Sequence, residues 1–212
     1  MFYSLTLSLL GFTTLTTDVP FILSSVLLPN LRRNPTSHPL HARELDWTVP
    51  SSSWNWSSNG GGTGTSITST WVDPSRLASE LPSSSSHTTK PSETIAPPFD
   101  LILTTDTLYT PQLLPHLLST LRALSLLSHS PPPILLALER RDTTLIDMAL
   151  DRAREEGFEV KMVSKGRIAK SVDRWLGWKE REEWEGVEVW KLRYKGVAGG
   201  AGSGGQEEQE GE

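Results

Sequence analysis

The residues best suited to chemistry lie just past an apolar run at residues 99–104. Asp106 follows this run, and Tyr109 comes three residues later, before a leucine-rich segment. The run is too short for a typical helix and follows two prolines, which predicts a strand buried on both faces, as in a parallel sheet. Ligands of open α/β sheets bind beyond the carboxyl ends of the strands. Asp106 and Tyr109 are therefore candidate site residues; the alternative is a turn acid before a helix and a core tyrosine.

A second pair of candidates lies nearer the N-terminus. Residues 10–18 predict a turn and then a β-branched strand that ends in Asp18. A carboxylate at a strand tip is the usual ligand of ribose hydroxyls, but Asp18 also suits a helix N-cap. Trp47 ends the next predicted strand, at residues 40–45, where its ring could lie against a heterocycle such as adenine or fill the core. The spacing alone favours the core for Trp47.

Periodic segments predict the elements that would position these side chains. Helices are expected at residues 20–34, from Thr110 to the break at 128–133, and from Asp142 to Gly157, and further strands at 134–139, 158–163 and 187–194. Pro29 implies a kink or an early stop in the first helix. The strand before Asp106, the leucine-rich helix and the strand at 134–139 form a βαβ unit. The last two strands are expected to pair like a hairpin at the edge of the sheet.

Composition and charge narrow the class of protein. Of the 212 residues 36% are hydrophobic, and the net charge of −5 gives no general attraction to nucleic acid or to an anionic membrane. The absence of Cys excludes disulfides and Cys-ligated zinc, and it suits a reducing compartment such as the cytoplasm. There is no uncharged apolar run of about 18 residues that would predict a membrane span. The apolar first 15 residues lack the basic region and the cleavage site of a secretory signal peptide.

Tracts rich in Gly, Ser and Pro interrupt the domain. We expect one domain in two parts, a flexible insertion and a disordered Gly- and Glu-rich tail, at residues 1–49 with 98–195, 50–97 and 196–212 respectively. The glycines at 60–64 resemble a phosphate-cradling loop, but no strand precedes them and no helix follows them, so we reject that function. Trp54, Trp56 and Trp71 in the insertion could fold part of it onto the domain or offer a surface to a partner.

The order of the strand-end residues resembles that of the seven-stranded S-adenosylmethionine-dependent methyltransferases. The matching elements are the acid at Asp18, Leu-Asp-Trp at 45–47, Asp-Thr-Leu-Tyr at 106–109 and Glu-Arg-Arg at 139–141. More narrowly, the chain is similar to the protein-lysine methyltransferase group called methyltransferase family 16, with its fungal members that modify a translation elongation factor. The resemblance covers roughly residues 10–50 and 98–195, and Asp-x-x-Tyr is its most specific part.

The resemblance implies a fold, a cofactor and roles for individual residues. The fold would be a Rossmann-like class I methyltransferase α/β sheet, mostly parallel with a C-terminal antiparallel strand. The cofactor would be S-adenosyl-L-methionine, with Asp18 binding the ribose hydroxyls, Trp47 lying by the adenine and Thr105 bordering the cofactor. Asp106 would orient or help deprotonate a substrate lysine, and Tyr109 would line the lysine channel.

Two further statements follow from the same resemblance. Glu139 with Arg140 or Arg141 would match the acid-basic element that follows the next strand. The partner would be a protein substrate, for which the translation elongation factor is the example.

The chain departs from the family at its start. Family members begin their sheet with a strand that leads into a Gly-x-Gly loop, whose backbone approaches the methionine part of the cofactor. Here only residues 1–11 precede the strand that ends at Asp18, and Gly11 stands alone. We interpret the missing first strand and glycine loop as an N-terminal truncation. Activity is then expected only if the real product contains the missing segment.

Two alternatives come from other classes of protein. The chain could be a non-catalytic remnant that binds a protein partner through Trp54, Trp56, Trp71 and residues 175–184. A nicotinamide-dependent Rossmann enzyme would share the acid at a strand tip, but it needs the same glycine loop. It also leaves the Asp-x-x-Tyr element without a role.

Overall fold

The computed structural model describes residues 2–36, 38–56, 95–175, 177–178, 184 and 186–196. The described residues belong to two compact units. Unit 1 comprises Met1–Phe99 and Ser119–Leu127, and unit 2 comprises Asp100–Leu118 and Ser128–Glu212. Nearly all of the predicted tail and most of the predicted insertion, including Trp71, lie outside the described residues. Within the described ranges, no helix has both the length and the apolarity that crossing a bilayer requires.

Unit 1 has a mainly helical N-terminal half and a two-stranded parallel sheet. Its elements are α1 (Phe2–Leu9), β1 (Thr14–Asp18), α2 (Pro20–Ile22), a π-helical segment (Leu23–Leu27), α3 (Leu28–Arg33) and β2 (Leu40–Glu44). In the parallel register Thr14 lies opposite Leu40 and Asp18 lies opposite Glu44. Both strands were expected from the sequence, as was the turn at Gly11. The φ of Gly11 is +94°, a conformation that a residue without a Cβ adopts readily.

The helix predicted at residues 20–34 continues past Pro29 to Arg33. In the π-helical segment the Leu28 amide donates to the Leu23 carbonyl, five residues back. Pro29 follows at once, has no amide hydrogen, and its ring would clash with a carbonyl one turn earlier in a regular α-helix. The widened turn before the proline accommodates that clash, so the helix neither stops early nor loses its apolar face.

The core of unit 1 is built from leucines. The buried cluster consists of Leu23, Leu27, Leu28, Leu31, Leu40 and Ala42, with the partly buried Leu5 packed against it. These positions recur every three or four residues on the helices and every second residue on β2, as amphipathic elements require. Each fully buried leucine stabilises the fold by about 1.5–3 kcal/mol relative to exposure.

The described part of the chain from residue 100 onward contains a four-stranded sheet and three α-helices. Its elements are β3 (Ile102–Thr105), α4 (Leu114–Leu126), β4 (Ile134–Glu139), α5 (Thr143–Glu155), β5 (Phe158–Met162), α6 (Lys165–Trp175) and β6 (Val187–Tyr194). The second half of α4 belongs to unit 1. The strand order is β3-β4-β6-β5. β3 and β4 are parallel, as the predicted βαβ unit requires, whereas β6 is antiparallel to both of its neighbours. The sheet is therefore mixed, with an antiparallel C-terminal strand.

The burial of β3 corrects the prediction that it is covered on both faces. All four of its residues are only half-buried. Among the described strands β3 pairs with β4 alone, so it lies at an edge of the sheet, where an apolar run has one neighbour fewer to cover it. β4 has a neighbour on each side, and its Ile134, Leu136 and Leu138 are buried.

The ends of the helices follow local sequence signals to different degrees. Asp142 caps α5 as predicted, because its carboxylate accepts a hydrogen bond from the Leu145 amide at 2.9 Å. Gly157 follows that helix with a φ of +92°, as expected of a glycine at a helix end. Thr110 occupies the N-cap of the 3-10 turn that leads into α4, but its hydroxyl bonds to the Gln112 side chain instead of capping.

The C-terminal elements contain one helix that the sequence pattern did not predict. This is helix α6, whose few apolar residues lie among charged ones. None of its residues is fully buried. The antiparallel pairing of β5 with β6 was predicted and places Phe158 opposite Tyr194, with ring centroids 5.3 Å apart. However, β6 lies between β4 and β5, so only β5 is at the sheet edge.

Candidate functional site

The carboxyl ends of three strands meet at one edge of the unit 2 sheet. β3, β4 and β5 point in the same direction, because β6 is antiparallel to both β4 and β5 and β3 is parallel to β4. Asp106 follows β3, Glu139 ends β4, and α6 begins shortly after β5. We call this the carboxyl edge of unit 2. It is the edge at which open α/β sheets bind ligands.

Asp106 combines an exposed side chain with a left-handed backbone. Its φ is +50°, and it is the one residue other than glycine with a positive φ in the described part of the chain. Its amide donates to the Ala137 carbonyl at 3.0 Å, which extends the pairing of β3 and β4 beyond the last residue of β3. The left-handed conformation costs roughly 1–2 kcal/mol for a residue with a Cβ, although Asp tolerates it better than most. The neighbouring strand thus holds a strained residue in place, as is common at functional sites.

The turn around Asp106 is closed by a contact between two hydroxyls. The Oγ1 atoms of Thr104 and Thr107 lie 2.8 Å apart. Thr105 is half-buried and lies opposite Ala137 in the ladder. Tyr109 is 66% exposed, which removes the alternative that it is a core tyrosine. The turn therefore presents both Asp106 and Tyr109 to solvent.

Glu139 pairs with Arg141 at the end of β4. The Glu139 carboxylate accepts from Nε and Nη2 of Arg141 at 2.8 and 2.6 Å. This hydrogen bonding is the main reason that the pKa of Arg141 is raised, and the charge of Asp106 adds a smaller effect in the same direction. Glu139 therefore forms an ion pair with Arg141, and Arg141 is near enough to Asp106 for the Asp106 charge to act on its pKa.

Arg140 belongs to a different network, which sequence reasoning missed. Its Nε and Nη2 donate to the two carboxylate oxygens of Glu188 at 2.9 and 3.0 Å, and its Nη1 donates to Asp147 at 2.7 Å. The Trp190 indole donates to Glu188 at 2.9 Å. Hydrogen bonding to Arg140 is the largest cause of the lowered pKa of Glu188. The alternation of β6 places Glu188 and Trp190 on one face, and this was the available sequence signal.

The carboxyl edge of unit 1 carries Asp18. β1 and β2 are parallel, so Asp18 and the residues after Glu44 lie at the same edge. The Asp18 carbonyl accepts from the Leu45 amide at 3.0 Å, and its Oδ1 accepts from the Val19 amide at 2.9 Å. Val19 occupies the N-cap of α2, so the prediction of Asp18 as the helix cap is wrong. Asp18 is half-buried, and its Oδ2 has no hydrogen-bond partner among the described residues.

Trp47 follows β2 within a tight turn at the same edge. The Asp46 carboxylate accepts from both the amide and the hydroxyl of Thr48, at 2.8 and 2.7 Å. This turn fixes the backbone on both sides of Trp47. The Trp47 side chain is half-buried, so it is neither a fully buried core residue nor a fully exposed one.

Arg43 is an unexpected buried cation in unit 1. It is 1% exposed, and its Nη1 and Nη2 have no hydrogen-bond partner among the residues that the structure describes. Its guanidinium carbon lies 5.0 Å from the Trp56 ring centroid. Trp56 in turn contacts Trp54 and Phe99, with centroids 6.1 and 5.8 Å apart. Burial lowers the pKa of Arg43. The aromatic cluster therefore folds the start of the predicted insertion onto the domain, which was one of the two expectations for these tryptophans.

The structure groups the predicted site residues into two sets. Thr105, Asp106 and Tyr109 belong to the carboxyl edge of unit 2, and Asp18 and Trp47 belong to the carboxyl edge of unit 1. No protein-family model matches the chain, and no curated protein matches it significantly. The chemistry of these two edges must therefore be inferred from their residues.

Proposed function

We propose that this chain is a protein-lysine methyltransferase module that transfers a methyl group from S-adenosylmethionine to a lysine side chain of a protein substrate. The observation that carries the proposal is the left-handed, exposed Asp106 at the carboxyl edge of unit 2. Strain of this kind persists where the surrounding structure fixes it, and it accompanies functional sites. The translation elongation factor as substrate and the cytoplasm as compartment follow from the sequence resemblance.

The chemistry requires little beyond positioning and a place for a proton. The cofactor supplies an electrophilic methyl group on a sulfonium. A lysine must lose a proton before its nitrogen lone pair can form the new bond to carbon. Asp106 accepts hydrogen bonds from the ammonium and takes up or relays that proton, and Tyr109 lines the approach of the lysine. Proximity and exclusion of water then supply most of the rate enhancement.

Two residues of unit 1, taken by themselves, suit the roles that the resemblance gives them toward the cofactor. Asp18 is half-buried and uses Oδ1 to accept from the Val19 amide, which leaves Oδ2 to accept from ribose hydroxyls. Trp47 is half-buried in a turn at the same edge, so one part of its ring is left to contact the adenine. Thr105, half-buried at the end of β3, is the third residue that the resemblance assigns to the cofactor.

The direction of the last strand also supports the proposal, whereas the described strands lack one element of the family. A mixed sheet with an antiparallel last strand is what the resemblance implies, and β6 is such a strand. The strands before the predicted insertion form a separate two-stranded sheet, and none of the described strands leads into a Gly-x-Gly loop. We therefore propose that full activity requires a strand that leads into a Gly-x-Gly loop, in addition to the described strands.

The test is calorimetric titration of the purified 212-residue chain with S-adenosylhomocysteine, after circular dichroism has shown that it is folded. We expect a dissociation constant in the micromolar range. Mass spectrometry of a fungal translation elongation factor incubated with the chain and S-adenosylmethionine then measures transfer itself. A folded chain that binds no S-adenosylhomocysteine would contradict the proposal.

A second candidate function is that of a non-catalytic module that binds a protein partner. Trp175 is 75% exposed and Trp178 is 39% exposed, which favours an interaction surface. Trp54 and Trp56 are half-buried and contact each other, so they do not contribute to that surface. The same titration separates the two functions, since a non-catalytic module has no need to bind S-adenosylhomocysteine.

A further inference from the structure

Helix α6 carries an exposed stripe of positive charge. Arg167, Lys170 and Arg174 are spaced three and four residues apart, so they lie on the same side of the helix. All three are exposed, and none forms an ion pair within the described part of the chain. We call these three residues the basic stripe. Like charges three or four residues apart oppose helix formation slightly, although Arg174 in the last turn favours the helix dipole.

In helix α5 of the same unit, by contrast, the arginines form ion pairs. Arg152 pairs with Glu155 and Glu156 at 3.2 and 3.0 Å, and Arg154 pairs with Asp151 at 2.6 Å. Each pair is three or four residues apart on one helix, which stabilises the helix locally. The charges of α5 are thus neutralised by its own acids. Among the described residues the three cations of the basic stripe have no such partners, and their exposed side chains can contact another molecule.

The surface beside the basic stripe has the features of a contact site. Gly166, Ala169, Lys170, Asp173 and Arg174 line an open depression on α6. The Arg174 guanidinium carbon lies 4.9 Å from the ring centroid of the exposed Trp175. Tryptophan and arginine are the side chains most often found at the energetic centre of protein interfaces. The depression thus combines two cations with the single carboxylate of Asp173, and the exposed Trp175 ring lies next to it along the helix.

The position of α6 connects this surface to the candidate site. α6 follows β5, whose carboxyl end lies at the same edge of the sheet as Asp106. The charge of Lys165, the first residue of α6, contributes to the lowered pKa of Glu188 on β6. A protein bound over the carboxyl edge of unit 2 therefore lies within reach of the start of α6.

We propose that the basic stripe of α6 docks an acidic segment of the protein substrate, with Trp175 as the apolar anchor. This inference rests on the proposed function, in that it assigns α6 to the substrate of the same site. The occupant is a protein segment rich in Asp and Glu, because carboxylates are the protein groups that complement three unpaired cations. The docking fixes the substrate while its lysine enters beside Asp106.

The test measures binding of a fluorescein-labelled poly-glutamate peptide to the full chain by fluorescence anisotropy at low salt. We expect the double variant Lys170→Gln, Arg174→Gln to bind about tenfold more weakly than the wild type. The matched control is Arg152→Gln, Arg154→Gln on α5, which removes the same amount of charge and should leave the affinity within about twofold. Affinity of the wild type should fall as salt is raised.

Three results would overturn the docking site. The wild type could fail to bind the peptide, the α5 and α6 variants could lose affinity equally, or vesicles of anionic lipid could bind through the stripe while the peptide does not. The second result would mean a general charge effect, and the third a membrane surface.

Titration of each variant with S-adenosylhomocysteine separates this inference from the proposed function. Cofactor binding without peptide binding refutes the docking site alone. Peptide binding that depends on α6 in a chain that binds no S-adenosylhomocysteine refutes the methyltransferase and retains the acidic docking surface.

Discussion

Asp18 in unit 1 and Asp106 in unit 2 both end a parallel strand, yet they are held in different ways. Asp18 is half-buried in extended backbone and accepts from the next amide, whereas Asp106 is exposed in a left-handed turn. A half-buried carboxylate in relaxed backbone suits the binding of hydroxyls. An exposed one held in strained backbone suits contact with an incoming amine. The comparison predicts that Asp18 binds the cofactor and that Asp106 takes part in the reaction.

Arg140 in unit 2 and Arg43 in unit 1 also differ in how their guanidinium groups are held. Arg140 bonds both oxygens of Glu188. Arg43 is buried against Trp56, and two of its nitrogens have no partner within the described ranges. A guanidinium does not lose its proton to escape burial, so an unpaired buried arginine is costly. A cation-π contact recovers at most about 2 kcal/mol of that cost.

The substitution Asp106→Asn, made in a protein that also supplies the glycine loop, should have the largest effect. It keeps the size and the turn but removes the group that accepts a proton, so methyl transfer should fall about a hundredfold or more. Binding of S-adenosylhomocysteine should change less than about twofold. The measurement compares turnover by mass spectrometry of the substrate with the calorimetric affinity. Unchanged turnover would exclude Asp106 from the chemistry.

Replacing the two arginines should change stability in opposite directions. Arg43→Met should raise the free energy of unfolding by about 1–3 kcal/mol, because it removes a buried charge that has no partner. Arg140→Met should lower it by about 1–2 kcal/mol, because it leaves the Glu188 carboxylate partly buried without its cation. Urea unfolding of both variants measures the difference. A loss of stability in Arg43→Met would mean that packing against Trp56 outweighs the cost of the buried charge.

The substitution Asp18→Ala should weaken cofactor binding about tenfold, which corresponds to the loss of one or two hydrogen bonds to hydroxyls. Turnover at saturating S-adenosylmethionine should fall much less than it does in Asp106→Asn. Titration with S-adenosylhomocysteine is the measurement, and Asp46→Ala in the neighbouring turn is the control. Equal losses in both variants would indicate a disturbed edge instead of a lost ligand.

Features of the fold and of the candidate site could be predicted where a local sequence pattern determines them. Features that depend on contacts between distant residues could not. Strand β4 (Ile134–Glu139) is a short apolar run, and β6 (Val187–Tyr194) is an alternating one. Both strands lie where the sequence predicts them. Helix α6 was missed although Ile168, Val172 and Trp175 recur at helical spacing, because charged residues surround them and none of its residues is fully buried. The left-handed φ of Asp106 also has no sequence signal, since the Ala137 carbonyl that holds its amide comes from another strand.

The burial of Arg43 illustrates the limit within a single strand. The alternation of β2 correctly predicts that Leu40 and Ala42 share a buried face. Arg43 lies on the opposite face, which a single sequence would assign to solvent. It is covered by Trp56, from beyond the strand, in a tract whose composition predicted flexibility. One aromatic contact from a distant segment thus reversed the expected exposure.

The pH dependence of stability should show the smallest effect. The pKa of Glu188 is lowered from its ordinary value of 4.5, mainly by its hydrogen bond to Arg140. A carboxyl whose pKa is lowered by folding contributes stability above its unfolded pKa, and that contribution is lost as the pH falls through the folded pKa. Glu188→Gln should therefore be less stable than the wild type at pH near 6, and the difference should shrink as the pH falls below about 4.5.

Urea unfolding between about pH 3 and pH 6 measures this difference. Glu159→Gln is the matched control on β5, because its pKa is also lowered, by hydrogen bonding to Lys161, but in an exposed pair. Solvent screens exposed pairs, so the control should show a weaker dependence on pH. Equal curves for the two variants would mean that the Arg140 network is no stronger than a surface ion pair. The contrast between its bonded arginine and the unpaired Arg43 would then lose its energetic basis.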